Sequence, residues 1–195
     1  MKRKLLWAAA GVALAVVVVV GLLQAGGGTS QPESKARTPV DTRRALAGAP
    51  APLASLHRQS NQLLGGGQKA FDARLTTLAG YPVVVNKWAS WCGPCRFEFP
   101  FFQRLATQYR GRVAFLGVDA QDNRGDAEAF LKQRPLPYPS YYDLSASVAR
   151  TFRGGLAWPT TAFYDARGKL TRTHPGAYAS QAKLDEDIRR YALGS

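Results

Sequence analysis

The stretch VVVNKWASWCGPCRFEFP, Val83–Pro100, changes its hydrophobic period partway along. Residues 82–88 form an apolar, β-branched run bounded by Gly80, the pattern of a central strand. From Pro94 to Tyr109 the apolar residues Phe97, Phe101, Phe102 and Leu105 recur at helical spacing. Strand gives way to helix here, and the chain's 2 cysteines stand at the junction. Placed three apart on a first helical turn, Cys92 and Cys95 present both sulfurs on one face within bridging distance. Cys92 falls at the helix amino terminus, where unsatisfied N–H groups and the helix dipole favour a thiolate. Pro94 suits the first turn, because its missing N–H has no partner to lose there. Cys95, one turn in, is more shielded and suited to resolving a mixed disulfide. The expected cycle is attack by the Cys92 thiolate on a substrate disulfide, then attack by Cys95 to release the reduced product. Run backwards, the same chemistry makes disulfides. The alternative, a static disulfide closing a very short loop, constrains the unfolded chain little.

Working outward, strands and helices alternate. Residues 113–118 read as a second buried strand ending at Asp119, and Asp126–Lys132 as a helix closed by Pro135, Pro137 and Pro139. A short strand at Tyr138–Tyr142 leads to a helix around Ser145–Phe152. Thr160–Tyr164 is a further strand, turned by Asp165-Ala166-Arg167-Gly168 into Lys169–His174. Ser180 caps a final helix over Gln181–Ala192. This order predicts an α/β fold, a central mixed sheet flanked by helices. Upstream, Leu56, Leu63 and Leu64 permit a short helix within Ala54–Leu64, ended by Gly65-Gly66-Gly67. The folded domain is expected over residues 55–195, a size that buries roughly 68% of its unfolded surface without metal or disulfide support. Trp88 and the phenylalanines Phe97, Phe99, Phe101 and Phe102 read as packing, whereas Trp91 lines the exposed site. Tyr138, Tyr141 and Tyr142 read as edge-strand packing, with a partner-facing surface loop as the alternative.

The amino terminus carries a different signal. Lys2, Arg3 and Lys4 precede an uncharged stretch, Leu5–Leu23, long enough for a helix of roughly 28 Å, close to the hydrocarbon thickness of a bilayer. Residues 1–23 are therefore expected to be a transmembrane anchor with a cytoplasmic amino terminus, and the remainder to face outward as a single-pass protein. A cleaved secretory signal is the alternative, though Leu23-Gln24-Ala25 makes a poor cleavage site. Residues 24–54, rich in Gly, Pro, Ala, Thr and Ser, read as a flexible linker. With 195 residues, 46% hydrophobic and 20% charged, the chain is neither disordered nor fibrous. Two cysteines are too few for a disulfide scaffold or a four-thiolate zinc site. The net charge of +13 is spread along the chain with no basic run beside interleaved aromatics, which argues against nucleic acid as a partner.

The segment Val83–Pro100 resembles the thioredoxin superfamily, and more closely the membrane-anchored extracytoplasmic TlpA/ResA-like thiol–disulfide oxidoreductases, with similarity over about residues 68–192. The resemblance implies a thioredoxin fold, Cys92 as nucleophile and Cys95 as resolving thiol. Its cis-proline opposite the dithiol matches Pro159 in Ala157-Trp158-Pro159-Thr160-Thr161, leaving the Trp158 backbone to pair with an extended substrate chain. A trans proline starting an edge strand is the alternative. Trp91, Gly93, Pro94, Trp158 and Pro159 are the expected substrate-binding residues. Six before the first cysteine, cytoplasmic thioredoxins carry a buried Asp; here the residue is Asn86, as in TlpA/ResA-like proteins, and a neutral amide takes up no proton. Glu98, one turn after Cys95, matches a family glutamate and becomes the candidate proton acceptor, the alternative being a solvated glutamate paired with Arg96 or Arg104. Pro100 should kink this helix. Trp158 departs from the smaller residue common before the cis-proline.

The implied activity is reduction of extracytoplasmic protein disulfides by a monomer with no cofactor beyond the Cys92–Cys95 couple, recharged by a membrane thiol-electron donor. Haem-attachment thiols of apocytochromes c are among the implied clients. Disulfide oxidation or isomerisation for secreted proteins is the alternative direction. A thiol peroxidase on the same fold is a rival separable by peroxide consumption. A copper-delivery protein would need a His near two thiolates, and neither His57 nor His174 has an evident route to Cys92, so no metal is expected.

Overall fold

The computed structural model describes residues 48–195. The expected membrane span Leu5–Leu23 and the linker up to Ala47 lie outside the described residues. Among the described residues, no helix is long and apolar enough to cross a membrane.

Six strands form one mixed sheet: β1 (Leu63–Leu64), β2 (Val83–Trp88), β3 (Ala114–Ala120), β4 (Ser140–Asp143), β5 (Thr160–Tyr164) and β6 (Leu170–Pro175). They lie in the order β1-β4-β3-β2-β5-β6. β1, β4, β3 and β2 run parallel, and β5 and β6 are antiparallel to their neighbours. Among the described residues six α-helices accompany them: α1 (Ala51–His57), α2 (Gly67–Thr77), α3 (Gly93–Gln108), α4 (Arg124–Gln133), α5 (Ser147–Thr151) and α6 (Gln181–Asp187).

Successive residues of a strand point to opposite faces, and β2 shows what each face meets. Val84 and Trp88 join a core with Phe99 and Phe102 of α3, Phe130 of α4 and Leu184 of α6. Val83 and Val85 join a second core with Leu53 and Leu56 of α1, Phe71 of α2 and Val148 of α5. All six residues of β2 are buried, so both faces of the sheet are covered. β3 crosses this layer with Gly117 opposite Asn86. A Cβ there would lie 2.1 Å from Ser140 Oγ and 2.9 Å from Trp88 Nε1. The Trp88 indole donates to Ser140 Oγ at 3.1 Å across the space the missing side chain leaves.

Four differences from the sequence reading have physical causes. Leu63–Leu64, assigned above to a helix within Ala54–Leu64, is a strand, because it pairs in parallel with Ser140–Tyr141. The helix lies earlier, at Ala51–His57, started by Pro50 and Pro52 and anchored by the buried Leu53 and Leu56. Helix α2 was not anticipated: it begins without a side-chain cap, after a glycine with positive φ, and buries only Phe71. The last helix is α-helical only to Asp187 and continues as a π-helical turn over Ile188–Leu193. Tyr138 and Tyr141 are buried at 1% and 2%, so the tyrosine segment is interior packing, not a surface loop. Helix α3 runs through Pro100 to Gln108.

Candidate active site

The junction between β2 and α3 carries the cysteines. Cys92 is the N-cap of α3, with extended backbone (φ −81°, ψ 103°), and its Sγ accepts the main-chain N–H of Cys95 at 3.2 Å. The two residues are disulfide-bonded, with Cα atoms 5.3 Å apart. Cys92 is 2% exposed and Cys95 fully buried, while Gly93 and Pro94 between them face solvent. An N–H donated to a sulfur at a helix start favours the sulfur's anionic form once the bond is reduced.

The antiparallel register of β2 with β5 brings a second loop to this edge. Lys87 stands opposite Thr160, so the residues just beyond, Trp88 and Pro159, are neighbours. The Trp158–Pro159 peptide is cis, as the resemblance implied. Trp158 packs against Trp91, ring centroids 4.7 Å apart, and Trp91 is 57% exposed. Trp91 also donates its indole N–H to the Gln121 carbonyl at 3.1 Å. Next to it, both the N–H and the hydroxyl of Ser90 donate to Asp122. The segment after β3 thus holds the loop that carries the cysteines. Trp91, Gly93, Pro94, Trp158 and Pro159 therefore lie with the cysteines where β2 ends and β5 begins.

Lys87 was read only as a strand residue. Its side chain is 1% exposed, and Nζ donates to the carbonyls of Gly154 (2.5 Å) and Gly155 (2.9 Å). It also lies 4.1 Å from the centroid of the Trp158 ring. The ammonium thus fixes the loop before the cis-proline from behind. Burial lowers its pKa to about 8, against the pull of Asp143.

Glu98 is fully buried. Oε1 accepts from Asn86 Nδ2 at 2.8 Å and Oε2 from the Tyr178 main-chain N–H at 3.0 Å. Burial raises its pKa to about 8, opposed by those two hydrogen bonds. The alternative of a solvated glutamate paired with arginine fails: Arg96 lies over the Phe130 ring and Arg104 donates to Gln181. Tyr178, which the sequence reading did not single out, reaches Glu98 from 80 residues away. Nearby in the sheet, Asp119 at the end of β3 is fully buried, and its pKa is pushed up to about 9, first by burial and then by Asp122.

His174 stacks on the Tyr178 ring at 4.1 Å between centroids and pairs with Thr161, which in turn pairs with Asn86 of β2. Among the described residues, no group of three or more His, Cys, Asp or Glu is placed to hold a metal ion.

Residues 47–173 match the AhpC/TSA family. The chain is 34% identical over 140 residues to the thiol:disulfide interchange protein DsbE of Xylella fastidiosa, an alignment covering 70% of this chain and 65% of that one. It is 30% identical over 137 residues to the thioredoxin-like protein YneN of Bacillus subtilis, covering 62% and 79% of the two chains. A solved structure of a putative thiol:disulfide interchange protein DsbE from Chlorobium tepidum is similar at TM-score 0.55 and 29% identity, over 60% of this chain and 84% of that one. This chain spans 65% of the length of the Xylella relative.

Proposed function

Since the chain belongs to the AhpC/TSA family and has a thioredoxin-like α/β fold, we propose that it is a thiol–disulfide oxidoreductase working through Cys92 and Cys95. The observation that carries this reading is the bonded cysteine pair at the start of α3, beside the cis Trp158–Pro159 peptide. In the reducing direction, the Cys92 thiolate attacks a client disulfide, forming the Cys92–client bond and expelling one client sulfur with the electron pair. Cys95 then attacks Cys92 Sγ, re-forming the internal disulfide and expelling the second client sulfur. The client gains two electrons, and its two thiolates take up two protons from water.

Glu98 handles the proton of the buried Cys95. In the disulfide state its carboxyl, with a pKa raised to about 8, holds a proton at neutral pH. When a donor thiolate attacks Cys92, the departing Cys95 sulfur receives that proton. When Cys95 later attacks the mixed disulfide, its proton returns to the ionised Glu98. Asn86 holds the carboxylate in place without competing for the proton. Trp91, Gly93, Pro94 and the Trp158 main chain receive the client as an extended segment.

The Gly93-Pro94 pair and the TlpA/ResA-like resemblance support reduction over oxidation, with extracytoplasmic protein disulfides as substrates, apocytochrome c thiols among them. The basic residues before Leu5–Leu23 support a single membrane anchor with the folded domain outside the cytoplasm, and the TlpA/ResA-like resemblance supports a membrane thiol-electron donor as the source of reducing power. Three measurements on the full-length protein test the reading. The variant C92S should lose all turnover, and C95S should accumulate a mixed disulfide with its client. The midpoint potential should lie near thioredoxin's, about −270 mV; a value near about −120 mV would make the protein a disulfide oxidant instead. Turnover retained in C92S, or stoichiometric peroxide consumption by the reduced protein in preference to disulfides, would overturn the assignment.

A further inference from the structure

Glu98 is fully buried, and both its oxygens are engaged by Asn86 and Tyr178, yet a carboxyl that titrates must trade its proton with water. The register of the sheet supplies a direction. Asn86 on β2 pairs with Thr161 on β5, and Thr161 pairs with His174 on β6. Directly opposed residues of antiparallel strands point to the same face with Cβ atoms about 5 Å apart, so the three side chains form one row. The first two are fully buried, and the third is 28% exposed at its side chain. The row closes on itself: the ring of Tyr178, whose N–H binds Glu98, stacks on His174 at 4.1 Å.

Within the row, Asn86 Oδ1 and Thr161 Oγ1 are buried without a hydrogen-bond partner. Buried polar atoms rarely stay unpaired, and two of them on adjacent strands suit a bridging water that accepts and passes a proton. At the outer end, His174 Nδ1 lies 3.9 Å from Asp187 Oδ2, which also accepts from the Tyr178 hydroxyl at 2.7 Å. We propose that Asn86, Thr161 and His174 form the route by which the proton of Glu98 exchanges with solvent. Thr161 carries the proton with water held by Asn86, and His174 passes it to the surface. The proposal rests on Glu98 being the proton carrier of the cycle above.

The other groups near this route do not replace it. The Tyr138 hydroxyl feels the charge of Glu98 and is also unpartnered, but Tyr138 is 1% exposed and leads to no surface. Burial, the largest influence, and Arg172 hold the His174 pKa below the ordinary imidazole value against the pull of Asp187, and so favour the neutral ring. A neutral imidazole accepts a proton at one nitrogen and releases one from the other, which suits proton hand-over.

The test is infrared spectroscopy of the oxidised full-length protein mixed into heavy water. Buried Asp119 also holds a proton and gives its own carboxyl C=O band, so the Glu98 band is the component present in the parent and lost in E98Q, and it shifts as its proton exchanges for deuterium. In T161V and H174L the shift should slow by about tenfold, the rate effect of removing one hydrogen-bonding link. T161S, which keeps the hydroxyl, should exchange like the parent. The midpoint potential of the dithiol should stay unchanged in these variants, because a route alters rates and not end states; a merely structural role would move it. Parental exchange in either T161V or H174L overturns the route. Identical carboxyl bands in the parent and E98Q instead overturn Glu98 as the proton carrier. Should T161V fail to fold, the partly exposed His174 still decides the question.

Discussion

Two opposing influences meet at Glu98. Removal from water disfavours its charge, while the Asn86 amide and the Tyr178 N–H favour it, and burial wins by several pH units. The unfolded chain releases this proton near the ordinary glutamate pKa of 4.5, the folded protein only near about 8. Between those values the folded state binds the extra proton, so raising pH through the window weakens folding, by up to about 5 kcal/mol once it is crossed. E98Q removes that slope. Its amide also loses one of the two bonds, since only one oxygen remains to accept from Asn86 or Tyr178. Thermal melts of the oxidised protein from pH 5 to 9 should therefore cross, the parent more stable at the acid end and E98Q at the alkaline end. Parallel curves would show that Glu98 is ionised throughout. The cysteines and Glu98 were legible because their relations are local, three residues apart on one helix. Tyr178 and Thr161 were not, since they reach Glu98 and Asn86 only through sheet register and a loop 80 residues away. Lys87 hid inside an otherwise apolar strand, where a buried ammonium finds its carbonyls on a loop that the sequence does not place nearby.

At the scale of elements, helices and strands with strong periods were readable and those built by partners were not. β2 declares itself through its β-branched run, and α3 through its phenylalanines. β1 is two residues whose only credential is pairing with β4, and α2 has one buried side chain with which to announce itself. Gly117 is the counterpart within a strand: nothing in the sequence around it says that the Trp88 indole must pass over it to reach Ser140. G117A should therefore destabilise the fold by about 1–3 kcal/mol, the usual effect of forcing a methyl into a filled core. Chemical denaturation checks this, and the Trp88 fluorescence should shift as its bond to Ser140 is displaced. An unchanged midpoint would mean that the strands part at little expense.

For the whole molecule, both cores lie within the described residues, the first from Val84 to Ala192 and the second from Leu53 to Tyr164. A chain lacking residues 1–47 should therefore keep the same cooperative melting transition and disulfide turnover with small dithiols. Deleting them should release the protein from sedimenting membranes if Leu5–Leu23 is the anchor; release of the full chain under the same conditions would show that it is not. The sheet's two margins carry a further consequence. β1 offers only two residues, and β6 is largely exposed and polar, with Arg172 in its middle and Pro175 at its end. Short, charged and proline-ended margins are poor templates for another chain's backbone. Under the proposed function, a client that is partly unfolded could seed its own aggregation on a free strand. These blunt margins would offer such a client no strand on which to stack away from the dithiol.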